Sequence, residues 1–172
     1  MSVNERSKYS RHRQRLIQTE NATMDQEIKD YINRFLDSIP FNKVLELSPK
    51  TISSDRVELN VPWRPQFVGN PSQRILHGGV ISSVMDVTGG TVAVIGLFES
   101  MQGKSLEEKR QRIAKFGTID LRVDYLRPGR GESFVCGASI LRIGNKVAVT
   151  RMEYHNDSGD LLAVGTGTYM CG

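Results

Sequence analysis

Residues 75–98 read ILHGGVISSVMDVTGGTVAVIGLF. The stretch is apolar nearly all round, so as a helix it cannot lie on a surface with one side in water. It predicts a central helix buried inside a domain. Asp86, the glycines at 78, 79, 89 and 90 and the Ser/Thr content argue against a membrane span, which needs about 20 mostly apolar residues.

A buried helix needs something to wrap it, and the flanking sequence supplies candidates. On the N-terminal side Ile28, Tyr31, Ile32, Phe35, Leu36 and Ile39 recur at helical spacing and form one apolar stripe. Thr23 and Gln26 have capping-box spacing, and Pro40 is a stop signal. Strands are expected at residues 44–47 and 56–61, followed by a loop rich in Pro and Gly over 62–73. On the C-terminal side a short helix is expected over 106–115. Strands then follow at 118–126, 133–143, 147–156 and 161–170, with turns at Pro128-Gly129, Gly144-Asn145 and Asp157-Ser158-Gly159. In the first of these strands Ile119, Leu121, Val123 and Tyr125 alternate with Thr118, Asp120, Arg122 and Asp124. The predicted class is α+β, with an antiparallel sheet wrapped against the buried helix.

Length and charge bound the rest. A chain of 172 residues makes one domain with room for a core that needs no disulfides. Of its 23 Lys and Arg and 19 Asp and Glu, residues 1–20 hold 5 basic and 2 acidic groups, which leaves 18 against 17 for the remainder. The excess charge is therefore concentrated in residues 1–22, read as a flexible basic tail, and residues 23–172 form the domain. With a net charge of +1 outside that tail, no nucleic-acid face is expected. Cys136 and Cys171 stand far apart with no CxxC or His/Cys cluster, so neither a zinc site nor any other metal is expected. Two thiols without a secretion signal fit a reducing cytosol, and a cytoplasmic location is expected.

Chemistry concentrates at the start of the apolar helix. Two glycines after His77 permit close approach, and the free N–H groups of a helix N-terminus favour developing negative charge. Together they could polarise a carbonyl. Asp86 is an acid in an apolar helix, so it must be paired, capped or functional. Seven residues at about 1.5 Å each place Asp86 roughly 10 Å along the axis from Gly79. One helix cannot bring both groups to one reacting carbon, whereas two antiparallel copies can. An enzyme built this way is at least a dimer.

The segment HGGVISSVMD, residues 77–86, resembles the signature of the phenylacetyl-CoA-type (PaaI-like) group of hotdog-fold thioesterases. GTIDLRVDYLRPGRGE, residues 117–132, resembles the same group's strand and its Tyr-Leu-Arg-Pro turn, and the order of elements agrees over roughly residues 24–170. The resemblance implies a hotdog fold and hydrolysis of an acyl-CoA to free acid and CoA. No cofactor is implied, coenzyme A being part of the substrate. Asp86 matches the catalytic base or nucleophile, and Gly78 the residue whose N–H polarises the thioester carbonyl. Gly79 is included beside it, and His77 matches the histidine that shapes the pocket. Thr118 takes the place of a Ser/Thr brought near the attacking water from the other subunit. The group often carries Asn six positions before its histidine; here that position is Pro71, and Asn70, one residue further off, is the candidate for orienting water. Partners are the acyl-CoA and a second copy, as a homodimer or a dimer of dimers with the site at the interface.

CoA phosphates call for accessible cations, and Arg127 and Arg130 flank the Pro128-Gly129 turn, with Arg64 and Arg74 as further candidates. A serine esterase would need a G-x-S-x-G elbow, which the chain lacks. Two alternatives keep the fold: an acyl-CoA-binding protein without turnover, and a dehydratase acting on acyl-carrier-protein substrates.

Overall fold

The computed structural model describes residues 26–172; the tail over residues 1–22 and the Thr23 cap lie outside the described residues. Helix α1 (Gln26–Ser38) buries the expected stripe, with Ile28, Ile32 and Leu36 in the core and the Tyr31 ring tilted by 40° against Phe98 at 5.6 Å. Pro40 ends this helix and starts the next, α2 (Pro40–Val44), because its fixed φ suits a first helical position. The strand expected at residues 44–47 is therefore absent. Those residues close a helical turn that buries Leu45, and Glu46 turns the chain through a positive φ of 51°. The strand begins later, as β1 (Ser48–Ile52).

The next strand, β2 (Arg56–Pro62), follows its alternation, with Val57, Leu59 and Val61 fully buried. The Pro/Gly-rich loop is partly ordered by a single 3-10 turn (Pro65–Phe67) and a small ribbon of β3 (Val68–Asn70) against β4 (Ile75–Leu76). The ribbon delivers the chain into α3 (Gly78–Ser100). After a capped short helix, α4 (Leu106–Ile113), four long strands complete the domain. They are β5 (Gly117–Tyr125), β6 (Ser133–Ile143), β7 (Val147–Asn156) and β8 (Leu161–Met170).

The six-stranded sheet is antiparallel throughout, in the order β1-β2-β6-β7-β8-β5. It curls around α3, which packs on β2, β5, β6, β7 and β8 while α1 covers part of its remaining surface. That enclosure explains why α3 is apolar on every side: Val92, Ala93, Val94, Ile95 and Leu97 are all at 0% exposure. Each buried Val, Ile or Leu contributes about 1.5–3 kcal/mol relative to exposure. Thr88 and Thr91 satisfy their hydroxyls within the helix, each donating at 2.7 Å to the carbonyl four residues earlier. The helix is long and apolar enough to cross a membrane, and 72% of its apolar window is instead buried inside the domain.

Strand β5 departs from the alternation read in the sequence. A bulge at Ile119 breaks the pairing between Thr118, opposite Tyr169, and Asp120, opposite Thr168. Directly opposed residues share a face, and Tyr169 is fully buried, so Thr118 is turned inward with Leu121 and Val123. Ile119, read on one face with Leu121, Val123 and Tyr125, is instead pushed out to 56% exposure.

Candidate active site

Asp86 sits half-buried on the second turn of α3 after the glycines, facing the start of β5. Thr118 Oγ1 donates to its carboxylate, 3.0 Å from Oδ1 and 3.3 Å from Oδ2. The Tyr169 hydroxyl donates to the main-chain carbonyl of Asp86 at 3.1 Å. Burial raises the Asp86 carboxyl above the usual carboxylate range, opposed by the hydroxyls of Thr118 and Tyr169. An acid so placed, with no cation paired to it among the described residues, is a group poised to take a proton or attack. Thr118, which the resemblance brings from the other subunit, reaches Asp86 of its own chain.

At the start of α3, His77 is the N-cap. Its Nδ1 accepts the Gly79 N–H at 2.9 Å, which places the proton of a neutral ring on Nε2. Gly79's donor is thus occupied, whereas Gly78's N–H has no partner among the described residues. The peptide carrying that N–H is polarised from its other end: the His77 carbonyl accepts from Val80 N at 2.9 Å and Ile81 N at 3.4 Å. Tyr125 closes the arrangement by donating from its hydroxyl to the Gly78 carbonyl at 2.8 Å. Gly69 of β3 passes so near that a Cβ there would lie 2.6 Å from His77 Cα. Of the two glycines, the geometry leaves Gly78 as the free donor.

The helix runs from Tyr125 at one end of β5 to Thr118 at the other, so Gly78 and Asp86 are about 12 Å apart along the axis. The chain brings Asp86 together with Thr118, and His77 with Gly78 and Gly79, as two separate clusters. Ser82 and Ser83 donate to the Gly79 carbonyl at 3.1 and 2.7 Å, so neither is paired with a base. Asn70 is taken up locally, accepting from Ser72 Oγ at 2.7 Å. Arg130 donates to the Gln73 carbonyl at 2.8 Å and Arg127 to the Leu161 carbonyl at 3.1 Å. Both remain exposed, beside the ribbon that leads to His77. Arg64 is ion-paired with Glu46, and Arg74 is paired with Glu132 at 3.2 Å and stacked on Trp63.

Tyr125 and Tyr169 were not singled out by the sequence. Tyr169 left one signal: Gly165, Gly167 and Tyr169 alternate on the inner face of β8, the pattern of small residues making room for a ring.

A curled antiparallel sheet wrapped around one long apolar helix is the hotdog fold. Residues 73–163 match the thioesterase superfamily, and the chain belongs to it. The chain is 45% identical, over 87% of its length and 97% of the relative's, to the medium/long-chain acyl-CoA thioesterase YigI of Escherichia coli K12. A crystal structure from Shewanella oneidensis, of a protein related to the thioesterase superfamily, superposes with a TM-score of 0.80 at 44% identity, covering 87% of this chain and all of that one. Another, from Syntrophus aciditrophicus, gives 0.75 at 43% identity over 86% and 99% of the two chains.

Proposed function

We propose that this chain hydrolyses medium- or long-chain acyl-CoA thioesters, with Asp86 as the reacting carboxylate. The observation that carries the reading is Asp86 itself: half-buried, uncompensated by a cation among the described residues, and aimed by Thr118. The acyl range is taken from YigI, with which the chain shares 45% identity.

In the proposed reaction the thioester carbonyl accepts the Gly78 N–H, which stabilises the negative charge that develops on its oxygen. In one route Asp86 removes a proton from water as the water attacks the carbonyl carbon, after which the C–S bond breaks and the CoA thiolate takes that proton as it leaves. In the other Asp86 attacks that carbon itself, expelling the CoA thiolate and forming an acyl anhydride that water hydrolyses to the free acid and Asp86. Thr118 holds the carboxylate toward the reacting carbon. The axial separation of Gly78 from Asp86 calls for Gly78 of a second, antiparallel copy, so a homodimer with two shared sites is part of the proposal. Arg127 and Arg130 would meet CoA phosphates with the guanidinium donors that the Leu161 and Gln73 carbonyls leave free.

The test is a panel of acyl-CoAs of increasing chain length, with released thiol followed by a chromogenic reagent. The expected result is hydrolysis that rises toward medium and long chains and falls by about two orders of magnitude or more in Asp86→Ala. Tight acyl-CoA binding without thiol release would leave a binding protein, and full activity in Asp86→Ala would remove Asp86 from the chemistry.

A further inference from the structure

Asp86 is held at two points, by two residues that face each other across neighbouring strands. Thr118 of β5 and Tyr169 of β8 are paired in the sheet register. Thr118 bonds the carboxylate, and the buried Tyr169 hydroxyl bonds the main-chain carbonyl of the same residue. The phenol is confined. A Cβ at Gly89 or at Gly167 would lie 2.5 Å from its oxygen, so both glycines are needed where helix and strand close on it. Its ring is stacked at 5.4 Å and 11° on Phe116, two residues before Thr118. The mechanism above assigns this tyrosine nothing, although among the described residues it is the one side-chain hydroxyl that joins the turn of α3 carrying Asp86 directly to β8.

We propose that Tyr169 is a positioning residue for Asp86: it anchors the backbone of Asp86 to the sheet while its cross-strand partner Thr118 aims the carboxylate. The proposal rests on Asp86 being the reacting group. A helix carbonyl already accepts the N–H four residues on, so the tyrosine bond is not required to form the helix. What it adds is registry between helix and sheet. A displacement on the order of 1 Å in a reacting group can cost about a hundredfold in rate.

The experiment is Tyr169→Phe beside Asp86→Asn. Tyr169→Phe keeps the ring and its stack on Phe116 and removes only the hydroxyl. The expected result is a kcat lower by about tenfold with KM within about twofold, the split that marks lost transition-state alignment. In the free protein, the titration of the Asp86 carboxyl followed by carbon-13 NMR is expected to move in Tyr169→Phe, a readout that needs no turnover. Unchanged kcat and an unmoved Asp86 titration overturn the proposal. Full activity in Asp86→Asn would instead overturn the catalytic reading, and the titration arm would still decide whether Tyr169 acts on Asp86. Should Tyr169→Phe not fold, Phe116→Leu, which keeps the hydroxyl but unseats its ring, is expected to give the same split more weakly. An unchanged kcat there counts against the proposal equally.

Discussion

Thr118 and Asp86 meet at 3.0 Å because β5 carries one extra residue, Ile119, between the end of the strand and its regular run. Without that bulge the strict period of two would turn Thr118 away from α3 and bring Ile119 in. An exposed isoleucine is thus the counterpart of a correctly aimed hydroxyl.

Deleting Ile119 removes the bulge and leaves Thr118 opposite Tyr169 on the inner face, so the Thr118–Asp86 contact and turnover are expected to survive. Thr118→Val, which keeps shape and removes the donor, is expected to lower kcat by about tenfold. Steady-state kinetics with one acyl-CoA decides both.

The pH dependence follows from burial. In the proposed reaction Asp86 acts as its carboxylate, and its carboxyl is held above the usual carboxylate range, so the acid limb of kcat/KM is expected above that range. Removing the Thr118 hydroxyl, which opposes the shift, moves the limb higher still. A limb at the ordinary Asp value in the wild type would contradict the burial of the group.

The same shift has a stability consequence of definite sign. A folded-state pKa raised above the unfolded value means the folded chain binds more protons in that interval, so stability falls as pH rises through it. Asp86→Asn removes that loss. Its melting temperature is expected to exceed the wild type's at neutral pH, with the gap closing as the solution is acidified below the unfolded carboxylate range. Thermal melts at two pH values measure it.

At the helix start, Tyr125→Phe removes the donor to the Gly78 carbonyl, at a cost of about 1 kcal/mol in urea unfolding. It is also expected to lower kcat several-fold by loosening the peptide next to the Gly78 N–H. Gly78→Ala would bring a methyl to 3.3 Å from the Tyr125 ring carbon and hydroxyl, so it should disturb the same contact from the other side.

Gly69→Ala addresses the ribbon. Its methyl would lie 2.6 Å from His77 Cα, a backbone atom that cannot swing aside, so β3 or the motif must shift. Loss of activity together with a lowered melting temperature is expected.

The periodicities carried much of this. Strands β6, β7 and β8 lie where their alternation and turn residues place them, and α3 is central because no face of it is polar. Residues 44–47 misled because Pro40 and the burial of Leu45 extend helical geometry further than the apolar run suggests. Asp86 was visible as an acid out of place. Its two anchors were not: the Ile119 bulge reverses the apparent face of Thr118, and Tyr169 lies 83 residues away in the chain. Such contacts depend on register between distant strands, which no local pattern specifies.

The separation of Gly78 from Asp86 along α3 also has a genetic consequence. If each site draws its donor from one chain and its acid from the other, a chain spoiled at Asp86 and a chain spoiled at Gly78 are each inactive alone. Mixed in one dimer they leave one site of two with both of its parts intact. Co-expression of the two inactive alleles would then restore hydrolysis, so the two defects would complement each other rather than add.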